Sequence, residues 1–418
     1  MIARFLTVLV AATLLPTAPA AAAGTTGQAT VVSDDPVNHT PHVLDGIVNA
    51  LALVGRTVVV GGSFTSVREA GRGSPELARS HLFAFDLHTG RIIEGFAPQL
   101  NGPVHALAAG PGGTVYAGGS FTAAGFRPAD GLARFRLADG GTDPRFAPRV
   151  LGGDVTTLAR RGSHLYVGGD FTQVGRSLRT ALARVDATTG AVDPAFTVTP
   201  GGPLGGRVRI YGMALSDHRL LIGGAFTTLD DRSRPQVGLI DITGARAKVA
   251  DWRTATFAVA CKSVFPSYVR GVDFSPDGKY FVIVTTGGAG GPRKACDSTT
   301  RFETFATGDR IRPTWMNHTG GDSLYSVAVT GAAVYVGGHL RWLDNPYGRD
   351  TAGPGAVERE GIGAIHPRSG NALRWNPGRE RGIGVKAFLP HGQGLLVGSD
   401  TTRLGHEYHA RVGMFPLP

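Results

Sequence analysis

Cysteine is nearly absent from this chain. The two present, Cys261 and Cys296, lie about 35 residues apart, too far for a Cys-x-x-Cys redox pair. Lysine is scarce too: it stands only at 248, 262, 279, 294 and 386, so the net charge of +10 is almost wholly arginine. Arginine, alanine and glycine rich together read as the codon bias of a GC-rich bacterial genome, not as a functional signal. Long apolar runs are missing apart from one of about eleven residues, Phe5–Leu15, which is too short to span a bilayer. No Gly-x-Ser-x-Gly elbow occurs, and His406-Glu407-Tyr408-His409 is one residue short of the His-Glu-x-x-His zinc helix. The glycine pairs end strands and open no helix, so they are not phosphate cradles.

The single apolar run has a use. Arg4 precedes it, and the small residues Ala18–Ala23 follow it, which is the layout of an export signal over residues 1–23. No cysteine follows the run to carry a lipid. The expected mature protein, residues 24–418, is extracellular, with no membrane span. Two cysteines in an exported chain are expected to pair, Cys261 with Cys296, tying the segment before one strand to the loop Gly287–Pro292.

What is abundant is glycine, 62 residues, and it falls at fixed places. Leu165–Thr172 reads Leu-Tyr-Val-Gly-Gly-Asp-Phe-Thr. Val59–Thr65, Tyr116–Thr122 and Leu221–Thr227 repeat it closely, Tyr335–Leu340 and Leu396–Thr401 more weakly, and Phe281–Thr286 with the glycines lost. The steps are about 50 to 60 residues, the period of a propeller array. A Val-x-x-Leu strand precedes each copy, beginning at Val48, Val104, Val155, Tyr211, Val269, Leu324 and Val385. A third strand ends in a Thr-Gly turn, as at Gly90, Gly190, Gly244 and Gly308, where a left-handed backbone is expected. A fourth segment closes on an aromatic: Phe96, Phe146, Phe196, Trp252, Trp315 or Trp375.

The expected fold is therefore all-β, a seven-bladed β-propeller with four strands per unit. Gly-Gly lets backbones approach, and Phe64, Phe121, Phe171 and Phe226 wedge between blades. Thr40–Gly46 resembles Ala147–Gly153 and so looks like the end of a unit with no beginning. The last unit stops at its third strand, Arg411–Pro418, so residues 29–32 are expected to complete it and close the ring by an N-terminal strand.

The unit built of Leu165–Thr172, Leu182–Gly190 and Val192–Phe196 resembles the delta-60-type propeller repeat of large secreted bacterial proteins. The likeness spans roughly residues 40–418. Val269–Thr286, with its Ser275–Gly278 turn, is similar to a WD40 blade, and Asp186–Gly190 resembles a quinoprotein repeat. These resemblances imply the fold and carry no catalytic residue to any position here. The chain lacks the regular tryptophan set of quinone-dependent oxidoreductases.

The loops after the second strands are the long ones: 63–81, 120–133, 170–182, 225–237, 285–299, 339–361 and 399–410. Recognition belongs on such loops. Their charges sum to about +1, so the basic excess is not gathered there and nucleic acid is an unsuitable partner. Asp34, Asp35 and Asn38 could form a calcium loop, although a solvated turn is the simpler reading; no cofactor and no metal are expected. The densest set of chemical side chains is His406, His409, Tyr408 and Arg403, with His339 and Arg341 on the neighbouring loop. A His or Tyr base beside arginines is the set a lyase acting on acidic sugars needs. Polar loop decoration is the preferred reading of these six, and His81, His105, His164, His218 and His391 read as surface turns. The function expected is a secreted, non-enzymatic binding module for a cell-surface glycan or a protein, recognised at the long-loop face. The alternative is an extracellular lyase or hydrolase with its site on that face.

Overall fold

The computed structural model describes residues 27–418; the expected export signal lies outside the described residues. Among the described residues every regular element is a strand. Seven sheets of three or four strands follow one another along the chain. Their first strands are Val48–Val54, Val104–Ala109, Val155–Arg161, Arg209–Leu215, Val269–Phe274, Leu324–Val329 and Ala387–His391. Each pairs antiparallel with a second strand, which in five units ends at or beside the glycine pair, and the third strand pairs on the outside. First strands of successive units touch, and the last, Ala387–His391, touches the first, Val48–Val54.

The glycine pair has two separate duties. A methyl group at Gly61 would lie 2.6 Å from Val104 Cγ1 of the next unit, at Gly223 2.7 Å from Val269, at Gly337 2.5 Å from Val385, and at Gly398 2.5 Å from Val48. The first glycine thus clears space for the opening valine of the following sheet. A side chain on the second, as at Gly62, would instead strike the carbonyl of Ile47 in its own unit. The four wedge phenylalanines are all buried, and burial of each contributes roughly 1.5–3 kcal/mol.

The fourth strand differs from expectation. Only Lys248–Val249 and Trp315–His318 complete four-stranded sheets; in four other units the outer segment makes a single bridge, such as Phe85 to Ile92 or Val185 to Val192. The reason is a tight turn. Phe96 N donates to Ile93 O, Phe146 N to Asp143 O and Phe196 N to Asp193 O, which drops each phenylalanine into the core and ends the ladder. Gly90, Gly190 and Gly308 take the expected positive φ, but Gly244 does not.

The long loops hold a second layer that the sequence did not announce. Six carry short hairpins, among them Ser66–Arg68 with Glu76–Ala78, Gln173–Val174 with Ser177–Leu178, and Arg403–Leu404 with Glu407–Tyr408. Several dock on the segment just ahead of a first strand, as His42–Val43 does against Ser66–Arg68. The fifth unit lacks a hairpin, and there Cys261 and Cys296 form the disulfide. Where each loop returns to its third strand, one residue has positive φ: His81, Gly131, Ala181, Gln236, Asp297, Gly361 and Arg411. In all seven units its N–H donates to the residue at or beside the wedge position, as His81 does to Phe64 O at 2.9 Å. Because it recurs in every unit, this left-handed residue belongs to the architecture and marks no site.

The N-terminal segment lies along the last third strand, Val412–Pro416. Ser33 N donates to Pro416 O at 2.8 Å and Val37 N to Met414 O at 2.9 Å. Val32 packs beside Phe415, and the Trp375 indole donates to Ser33 O at 3.0 Å. The pairing falls at residues 33–37, later than the expected 29–32, because Val32 is spent on the core instead of the ladder.

Candidate functional site: a polar ring over an apolar throat

The residue after the opening apolar position of each first strand is out of step with its ladder. Val48 pairs with Gly62 and Ala50 with Gly61, leaving Asn49 unpaired between them. The same skip isolates His105, Thr156, Tyr211, Arg270 and Tyr325. In the seventh unit Lys386 N donates to Gly398 O, although Ala387 is the residue paired with Gly398. A bulge re-aims the side chain of the extra residue. Six of these seven residues line a single cavity bounded by all seven first strands, with a volume of about 250 Å³. Two residues on, Leu51, Leu107, Leu158, Met213, Val272, Val327 and Phe388 form an apolar throat to it. The ring lies level with the ends of the second strands, on the hairpin face.

Aromatic faces hold the ring's two cations. The Arg270 guanidinium lies 4.5 Å from the Tyr211 ring centre, and Lys386 Nζ lies 3.4 Å from that of Tyr325. Arg270 donates to Val269 O and Ser267 O, each at 3.0 Å. Among the described residues neither cation has a carboxylate within ion-pair distance. By contrast Arg209, beside the same Tyr211, is paired with Asp170. Burial pushes the Arg270 guanidinium below its ordinary range. Burial also pushes the Lys386 ammonium down to about 8; attraction by Asp400 opposes this, and Arg270 adds to it. His105 bonds Ser120 Oγ at 2.7 Å and is held low chiefly by burial.

The six residues singled out from the sequence divide into two groups with no hydrogen bond, ion pair or ring contact between them among the described residues. His339 and Arg341 stand near the ring. His339 lies 5.9 Å from the Tyr325 ring and accepts from Ser323 N at 3.4 Å. Arg341 is clamped on buried Asp322 by Nε and Nη2, each at 2.9 Å, and its guanidinium covers Trp342 at 4.4 Å. Arg403, His406 and Tyr408 are exposed on the last hairpin, with His406 in its turn at φ 62°. His409 is 3% exposed and sits in the seam between first and last units, 3.4 Å from Thr40 Oγ1 and 6.4 Å from the His42 ring. Reading the scattered histidines as surface turns fails for two: His105 lies in a first strand facing the cavity, and His391 is buried at 4% exposure. Among the described residues no three His, Cys, Asp or Glu side chains gather as metal ligands, Asp34 and Asp35 included. No described helix is long and apolar enough to cross a membrane.

A family model described as "Domain of unknown function (DUF5122) beta-propeller" matches residues 164–196. No curated protein matches the chain. Among solved structures, the WD40 beta propeller domain of Doa1 is similar at 11% identity and a TM-score of 0.50, over 93% of this chain and 97% of that one. The computationally designed Ika8 protein aligns at 13% identity and a TM-score of 0.49, over 92% of this chain and 100% of that one. With its helix-free run of antiparallel sheets, the chain is thus an all-β propeller repeat protein.

Proposed function

We propose that this is a secreted, non-enzymatic binding propeller that recognises a cell-surface glycan at its hairpin face. In this reading residues 24–418 are one domain, its seven sheets are the blades of a closed ring, and the N-terminal segment completes the last blade. The contact of last and first strands, and the fit of Gly398 against Val48, support closure. The disulfide suits an oxidising compartment. The observation that carries the binding reading is the ring itself. Six of the seven out-of-step residues deliver polar and aromatic side chains to one open cavity, while the acid–base candidates on the loops are tied up elsewhere: His409 in the seam, Arg341 on Asp322. A rigid ring with adaptable hairpins suits recognition.

The test is a glycan array probed with the exported protein, followed by incubation with each bound glycan. Saturable binding with no change in the glycan is the expected outcome. Ultraviolet absorbance from an unsaturated uronate, or new reducing ends, would instead make it a lyase or hydrolase. Binding to a protein and to no glycan would overturn the glycan assignment.

A further inference from the structure

Arginines that leave solvent in this chain are usually neutralised. Arg134 meets Asp143 at 2.6 Å, Arg184 meets Asp193 at 2.7 Å and Arg379 meets Asp400 at 2.9 Å. Arg234 and Arg359 do without a carboxylate but are capped by pairs of backbone carbonyls. Lys386 follows neither rule, and Arg270, capped by Val269 O and Ser267 O, differs from Arg234 and Arg359 in facing the open cavity. Both line the open cavity, and the Lys386 ammonium has no hydrogen-bond partner among the described residues. Tyr325 lies between them in the ring order, with Lys386 over its face.

An aromatic ring fixes a cation without cancelling its charge, whereas a carboxylate partner would cancel it. Two uncancelled charges facing a half-desolvated cavity are costly unless something else supplies the counter-charge. The cavity, at about 250 Å³, falls below the usual span of about 300–1,000 Å³ for drug-sized ligands, so it has room for one small unit. Its other wall is neutral and rich in acceptors. Thr156 donates its hydroxyl hydrogen to Ile210 O, which leaves its oxygen free to accept, and Tyr211 and His105 add further polar atoms. A bare carboxylate side chain would leave that wall unmatched; a sugar ring carrying several hydroxyls would use it.

We propose that the cavity takes the carboxylate of a terminal uronic-acid unit between Arg270 and Lys386, with the sugar hydroxyls on Thr156, Tyr211 and His105. This rests on the binding reading above and narrows it to an acidic sugar. The test is calorimetric titration of the full-length exported protein with methyl glycosides of glucuronate and galacturonate, with their methyl esters, and with polyglutamate. A uronate is expected to bind, and its ester to bind at least about tenfold more weakly. Arg270→Ala and Lys386→Ala are each expected to cost about tenfold or more, Lys386→Arg to retain binding, and exposed Lys279→Ala to change nothing. Retention by Lys386→Arg separates loss of charge from loss of fold. Equal affinity for acid and ester, unaltered affinity in both alanine variants, a preference for polyglutamate, or no uronate binding would overturn the proposal. A neutral glycan captured on the array would do so while leaving the binding reading intact.

Discussion

Lys386 sits on the phenol face of Tyr325 with no carboxylate within ion-pair distance among the described residues, and burial sets its titration. Burial favours the neutral amine, Asp400 pulls the other way, and Arg270 reinforces burial, so the ammonium titrates at about 8. The Lys386 charge is therefore largely present at neutral pH and is lost as pH rises through 8, leaving Arg270 as the ring's cation, and affinity for an anion should fall over the same range. Reductive ¹³C-methylation makes this visible, because only five lysines and the N-terminal amine contribute signals. Besides the N-terminal amine, one lysine resonance should titrate near 8, vanish in Lys386→Ala, and move to higher pH when an anion binds. A spectrum without it would contradict the desolvated site. Phe171 shows the opposite case, a residue whose work is burial alone. It is 1% exposed among Val155, Val167 and Val174. Phe171→Ala is expected to cost about 3–5 kcal/mol in chemical unfolding, with ligand binding by the folded fraction unchanged.

At the scale of strands, the sheet interfaces depend on a glycine facing a valine. Gly398→Ala would push a methyl group to 2.5 Å from Val48 Cγ1, and the expected cost is about 1–3 kcal/mol. Val48→Ala should cost stability alone yet restore part of it in the Gly398→Ala background. Strict additivity in that double-mutant cycle would mean that first and last units do not pack as described. These elements were the legible ones. Glycine pairs, wedge phenylalanines and Val-x-x-Leu strands carry strong, repeated chemistry, so sheet order and disulfide partners could be read from the residues. The polar ring was within reach and was missed. Aligning the units places Asn49, His105, Thr156, Tyr211, Arg270, Tyr325 and Lys386 in one column, but the Val-x-x-Leu pattern draws attention to the apolar positions, and a bulge leaves no mark of its own in sequence. The hairpins were beyond reach. Most of their strands are two or three residues long, too short for a period of two to show. The hairpin separates the His406–His409 cluster for a related reason: neighbours in a hairpin alternate sides, and His409 points into the seam.

For the whole molecule the place to look for weakness is the seam where the chain's beginning meets its end. The fifth unit has a covalent tie, and Cys261→Ser with Cys296→Ser is expected to cost about 4 kcal/mol in the chain-entropy model, read from the urea midpoint. The seam has only hydrogen bonds and packing, and it holds buried histidines. His42 is pushed to about 4, chiefly by burial and then by His409 and Arg68; it packs edge-on to Tyr408 at 4.7 Å. His391 is likewise pushed to about 4 by burial and then by His88, while its carbonyl takes the Gln28 amide at 3.0 Å. Both folded-state values lie below the ordinary value of 6.5, so the folded state keeps these rings neutral and the unfolded chain takes up the protons. Their contribution is complete above about pH 6.5 and drains away as pH falls from there toward 4, by up to about 2–3 kcal/mol for each ring at pH 4.5. Urea unfolding at pH 7.5 and 4.5 should show this loss, and His42→Gln and His391→Asn should each flatten the pH dependence. Hydrogen exchange locates it. Because these protons are taken up at the seam, the Ser33 and Val37 amides should lose protection before the ladders of units two to four. Acid loss of protection spread evenly over all seven sheets would mean that the seam is no weaker than any other joint.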